Sequence, residues 1–94
     1  MIILQIEHRV PNFDGWKKIF DNDPIGRERS GVKRYRIYRP VDDPNYAIID
    51  LEFDTLNQAE TALKALKALW GKMDGSVMTN PKARIVELAE SKEY

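Results

Sequence analysis

The chain contains no cysteine and a single histidine among its 94 residues. Without cysteine there are no disulfides and no thiolate chemistry, which suits a reducing compartment. One histidine without cysteine also leaves a zinc site short of ligands. Charge of one sign is not in excess either: Lys plus Arg number 15 and Asp plus Glu number 15, so no global field draws in nucleic acid or anionic lipid. No stretch approaches the roughly 20 apolar residues of a membrane span. The opening Met-Ile-Ile-Leu-Gln-Ile-Glu has no basic region, and its apolar run is too short for a signal peptide. The expectation is a cytoplasmic protein. No glycine-rich phosphate loop and no Gly-x-Ser-x-Gly elbow occurs. Asp42-Asp43 and the Asp21/Asp23 pair are turn and capping residues before they are calcium ligands. None of these residues implies a cofactor.

The length fits a single domain over 1–94, near the small end of what folds alone. Such a domain buries only about 60–65% of its unfolded surface, so a subunit interface would add considerably to its stability.

Hydrophobic periodicity divides the chain into six elements. Ile2 to Arg9 alternates as a strand, with Ile2, Leu4, Ile6 and His8 on one face. Asn12 is an N-cap and Asp14 complements the dipole of a helix running to about Asn22, whose stripe is Phe13, Trp16, Ile19 and Phe20. Asp23-Pro24 reads as the start of a short second turn of helix reaching Arg29, ended by Ser30-Gly31. Val32 to Arg39 and Tyr46 to Phe53 read as strands joined by the hairpin loop Pro40 to Asn45. Thr55-Leu-Asn-Gln58 is a capping box. It opens a helix with the stripe Leu56, Ala59, Leu63, Leu66, Trp70 and Met73, ended by Gly71 and Gly75. A loop over 76–81 holds Val77 and Met78, and Lys82 to Ala89 is the last strand.

The order is βαββαβ, the ferredoxin-like split motif of the α+β class. Right-handed crossovers give a four-stranded antiparallel sheet in the order 4-1-3-2, with both helices on one face. Strand parity assigns His8, Tyr35, Phe53, Arg84, Val86 and Leu88 to the helix-covered face. The open face takes Ile3, Gln5, Glu7, Arg34, Arg36, Tyr46, Ile48, Asp50, Glu52 and Ile85. A hairpin register pairing Tyr38 with Ile48 sets Arg36 opposite Asp50 and Arg34 opposite Glu52. That face is either a solvated surface with weak ion pairs or, given isoleucines at its centre, the meeting place of two sheets around Ile3, Ile48, Ile85 and Tyr46. The second is favoured and gives a homodimer.

RNA-recognition domains share this element order, but their third strand carries Lys/Arg-Gly-Phe with exposed aromatics. Here the corresponding strand is Tyr-Ala-Ile-Ile-Asp-Leu-Glu-Phe, acidic on its open side, which argues against nucleic acid as a partner.

The segment His8-x-Val10-x-Asn12-Phe13-x-x-Trp16-Lys17-x-x-Phe20-Asp21 resembles the first third of the dimeric α/β-barrel superfamily. Gly31-Val-x-x-Tyr35-Arg-x-Tyr-Arg-x-Val-Asp-Asp-Pro44 and Ile48-Ile-Asp-Leu-Glu-Phe53 continue the likeness. This superfamily takes in antibiotic-biosynthesis monooxygenases and polyketide-cyclase-like proteins. The resemblance implies a homodimer with its sheets face to face and a pocket between sheet and helices in each subunit. Its members include cofactor-free oxygenases, haem-degrading oxygenases, isomerases and cyclases, so no single reaction follows.

If strands one and three run parallel, the end of strand one meets the end of strand three, and one mouth gathers His8, Phe53, Tyr35 and Arg84. The first helix brings Asp14 and Trp16 to the same edge, and the 74–81 loop can fold over it with Val77 and Met78. Mostly apolar walls with a few polar groups describe a ligand pocket. His8 is the one side chain suited to proton transfer near neutral pH, with Arg84 or Tyr35 to stabilise an enolate or phenolate. Trp16, Phe20, Phe53 and Met78 would hold an apolar aromatic or polyketide-like ligand. Each residue also has a plainer role. His8 can bond a backbone carbonyl or Asp14, Arg84 can pair with a carboxylate, and the aromatics can simply fill the core. The alternatives are a cyclase- or cofactor-free monooxygenase-like enzyme and a non-catalytic ligand-binding or structural homodimer.

Overall fold

The computed structural model describes residues 1–72 and 79–94. The strands are β1 (Ile2–Arg9), β2 (Arg34–Tyr38), β3 (Tyr46–Phe53) and β4 (Thr79–Glu87), and the helices are α1 (Phe13–Asp21) and α2 (Leu56–Trp70). The sheet order is β2-β3-β1-β4, and every neighbouring pair is antiparallel. This is the expected βαββαβ arrangement, read from the other edge. Among the described residues, no helix is long and apolar enough to cross a membrane.

Local chemistry accounts for both helices. The Gly15 N–H donates to Asn12 Oδ1 at 2.8 Å, capping α1, and Asp14 sits in the first turn beside the positive end of the dipole. In α2 both bonds of the capping box form: Gln58 N–H donates to Thr55 Oγ1 and Thr55 N–H to Gln58 Oε1. The fully buried side chains of α2 are Ala59 and Ala62. Their small size lets the helix lie close on β1, β3 and β4, with Leu63, Leu66 and Trp70 packed around them. Leu56 is half exposed, so the buried stripe begins one turn later than the spacing suggests. Gly71 caps the helix, whereas Met73 and Gly75 lie outside the described residues.

The short helix expected over Asp23 to Arg29 is instead a series of turns. Asp23 at φ 54° and Gly26 at φ 67° are left-handed, and each interrupts the right-handed run a helix requires. Asp23 still works as a cap of its turn, its Oδ1 accepting from Arg27 N–H at 2.8 Å.

β3 and the β2–β3 hairpin follow the sequence pattern. Tyr38 pairs with Ile48, Arg36 with Asp50 and Arg34 with Glu52, although β2 itself is shorter than 32–39. Two other expectations need correction. First, β3 runs antiparallel to β1, with Ile2 opposite Phe53 and His8 opposite Ala47. A helical crossover returns β2 parallel to β1, and the hairpin then reverses β3. Second, β4 begins at Thr79 rather than Lys82 and pairs Leu4 with Ile85 and Gln5 with Arg84. Ile85 therefore faces the helices, while Arg84 and Val86 face the open side. Pro81 is tolerated because β4 is an edge strand. Near it the register shifts between Glu7 and Arg9, and Asn80 takes φ 50°.

The core lies between sheet and helices, where Leu4, Val10, Ala47, Phe53 and Ala59 are essentially inaccessible. On the open face, Ile3, Ile48, Val86 and Tyr46 are half-buried among charges. Arg84 Nε donates to Gln5 Oε1 at 2.9 Å, and Gln5 Nε2 donates to Asp50 Oδ1 at 3.0 Å. Glu52 is buried there, with Arg34 Nε at 3.5 Å and Arg36 Nη1 at 3.8 Å from Oε2.

Candidate functional site

His8 ends the buried series Leu4, Ile6, His8 on β1, the face that period-2 alternation turns toward the helices. It is 2% exposed. Its ring meets Trp16 of α1 edge to face, with centroids 5.6 Å apart. Trp16 contacts Phe20 at 5.3 Å, and Phe20 contacts Tyr35 at 5.1 Å. A continuous row of rings thus leads from the sheet centre to the β2 edge. Trp16 and Phe20 are spaced four apart on α1, which puts both on one helix face.

A cavity of about 70 Å³ lies between this row and α2. Its walls are apolar, with Ile6, Ile49 and Leu51 from the sheet, Trp16 and Phe20 from α1, and Leu66 and Trp70 from α2. Among the described residues only His8 and Arg27 bring ionisable side chains to it. Beside it, a groove of about 570 Å³ runs over the surface between the Asp23–Glu28 turns and β2.

The His8 Nδ1 lies 3.4 Å from the Arg9 carbonyl, a long bond that an N–H at Nδ1 would donate. In that tautomer Nε2 carries the lone pair. Burial pushes the imidazole below its ordinary value, and the Arg9 carbonyl offsets part of that effect. The ring is accordingly neutral at pH 7, the state a proton acceptor needs.

The expected residues do not all meet. His8, Trp16 and Phe20 line the cavity. Phe53 is fully buried at the opposite end of the sheet, six residues along from the His8 pairing position, or about 20 Å at strand spacing. The reversed direction of β3 carries it away. Tyr35 lines the groove instead of the cavity and is joined to His8 through Phe20 and Trp16. Arg84 is on the far side of the sheet, bonded to Gln5, because the β4 register turns it outward. Met78 and Val77 lie outside the described residues.

Arg27 is the residue that sequence reasoning missed. Its guanidinium carbon lies over the Phe20 ring, 4.0 Å from the centroid, and 5.0 Å from that of Tyr35, and Nη1 donates to the Phe20 carbonyl at 2.7 Å. The available signal was a basic residue seven positions after an aromatic, across a Pro24–Gly26 turn that folds it back. Among the described residues no group of three or more His, Asp or Glu side chains is arranged to hold a metal ion.

No sequence-family profile matches the chain, and no curated protein matches it in sequence. Solved structures do match its fold. A cofactor-independent oxygenase from Streptomyces nogalater, SnoaB (in a point-mutant form), superposes with TM-score 0.72 at 13% identity, covering 96% of this chain and 94% of its own. A Deinococcus radiodurans protein, described provisionally as an antibiotic biosynthesis monooxygenase, gives 0.70 at 16%, covering 100% and 98%. The haem-degrader MhuD from Mycobacterium tuberculosis gives 0.68 at 18%, covering 97% and 99%. The same fold occurs in a dimeric ferredoxin-like protein from an uncultured marine organism. The chain thus has the ferredoxin-like fold of the antibiotic biosynthesis monooxygenase-like proteins, from end to end.

Proposed function

We propose that the protein is a homodimer that binds an apolar aromatic small molecule in the sheet–helix cavity, with His8 as the proton acceptor of a cyclase- or cofactor-free oxygenase-like reaction. The observation that carries this is the cavity itself. A buried neutral imidazole opens onto a space walled by two tryptophans and a phenylalanine, with Arg27 at its edge. A buried base beside apolar walls is suited to taking a proton from a phenol or an activated C–H. The fold relatives carry out oxygenation and haem degradation, so the fold alone leaves the reaction open. The cavity by itself is far smaller than a haem macrocycle.

The size of the cavity also favours a second reading. About 70 Å³ is roughly half of the 150 Å³ that accommodates benzene in an engineered core. His8 already has a backbone partner. On this alternative the interior is filled by its own aromatics and the dimer is structural. Crystals soaked with a library of one- and two-ring phenols separate the two. The proposed function requires a ring bound beside His8 and Trp70, and the structural alternative requires an interior that stays closed to every compound.

The homodimer rests on the open sheet face. Ile3, Ile48, Val86 and Tyr46 form an apolar centre, ringed by Arg34, Arg36 and Arg84 and by Glu7, Asp50 and Glu52. Both signs of charge around one apolar patch make it self-complementary across a two-fold axis, which favours a second copy as the occupant.

A further inference from the structure

Among the described residues, the interior cavity and the surface groove share one charged residue, Arg27. Its side chain is only 16% exposed, so its charge has lost most of its hydration. The Phe20 carbonyl and Asp23 Oδ1, at 2.7 and 3.5 Å, are both approached by Nη1. Among the described residues no hydrogen bond occupies Nε or Nη2. Those two atoms form the edge of the guanidinium that matches a carboxylate with two parallel N–H bonds. The Phe20 ring beneath it and the bond from Nη1 to the Phe20 carbonyl hold the group in place in advance, so little freedom is lost when an anion docks. Among the described residues no carboxylate lines the cavity. The groove is also lined by Asp23, Glu28, Lys33 and Arg34, and of its two carboxylates Asp23, with Oδ1 3.5 Å from Nη1, is the one paired with Arg27.

The two spaces complement each other in size. The cavity of about 70 Å³ takes part of a ring, and the adjoining groove of about 570 Å³ supplies further room at the Arg27 boundary. We infer that the ligand is an organic anion, an aromatic ring bearing a carboxylate or phenolate. Its ring enters beside Trp16 and Trp70, and Arg27 holds its charge where cavity and groove meet. The inference rests on the cavity being an aromatic-ligand site, and it adds the charge of the ligand and the residue that selects it.

The test compares 2-naphthoate with 2-naphthamide, which have nearly the same shape but differ in charge at pH 7. Both tryptophans of the chain line the cavity, so their indole N–H signals in NMR titrations report both location and affinity. The wild type binds naphthoate at least tenfold more tightly than naphthamide. Arg27→Met abolishes the preference, and Arg27→Lys retains part of it. Asp23→Asn leaves Arg27 in place and suits the left-handed backbone at that position. By removing the competing carboxylate it tightens naphthoate severalfold without changing naphthamide, so the test survives if Arg27→Met fails to fold. Equal binding of the two probes by the wild type overturns the anion assignment alone, as does a preference that persists in Arg27→Met. Binding of neither probe overturns the aromatic-ligand site as well.

Discussion

His8 and Trp16 meet edge to face, with ring centroids 5.6 Å apart and planes 67° from parallel, joining the end of β1 to the middle of α1. Trp16 is the only fully buried residue of that nine-residue helix. It therefore anchors α1 to the sheet and also forms a wall of the cavity. Trp16→Ala is expected to destabilise the protein by about 3–5 kcal/mol, the usual cost of deleting a buried large aromatic. Chemical denaturation measures this, and a loss below about 1 kcal/mol would show that other contacts hold α1 in place.

The lowered His8 pKa sets a direction for the pH dependence of stability. The unfolded chain takes up a proton near the ordinary value of 6.5, while the folded chain resists it until lower pH. The unfolded state thus binds more protons across that window, and stability falls as pH drops below about 6.5. The slope contributed by one histidine is at most about 1.4 kcal/mol per pH unit, and it levels off once the folded ring also protonates. Urea unfolding between pH 5 and 8 is expected to show this component in the wild type and to lack it in His8→Gln.

Glu52 is the buried carboxylate of the open face, balanced by Arg34 and Arg36. Replacing both arginines by methionine strands that charge and is expected to cost about 2–3 kcal/mol, below the range for a fully buried pair because the arginines are half exposed. Adding Glu52→Gln to the double variant should recover part of the loss. A double variant as stable as the wild type would show that Glu52 needs neither partner.

Placing a charge at the centre of the same face tests the dimer. Ile48→Asp is expected to convert a two-subunit species into monomers in sedimentation, leaving the far-ultraviolet spectrum intact. A wild type that sediments as a monomer would contradict the proposed assembly.

The parts of the fold legible in the sequence were those with redundant signals. Both helix caps and the β2–β3 register were each marked by several agreeing residues. β4 was not, because adjacent Ile85 and Val86 satisfy either parity, and Pro81 hides three residues of an edge strand. That single ambiguity put Arg84 at the wrong face. A misassigned strand direction placed Phe53 and Tyr35 beside His8. His8, Trp16 and Phe20 were found together because they are close in sequence on two well-marked elements. Arg27 depends on the left-handed turns at Asp23 and Gly26, which period-based patterns do not reveal.

The central claim is that the space beside His8 admits an aromatic ligand. Titration with 2-naphthol, followed through the indole N–H signals of Trp16 and Trp70 and the His8 ring, tests it most directly. Saturable shifts of all three, abolished by filling the cavity with Leu66→Trp in a variant that remains folded, are the expected result. Signals that stay fixed at millimolar naphthol would contradict the account and leave the interior a core closed by its own aromatics.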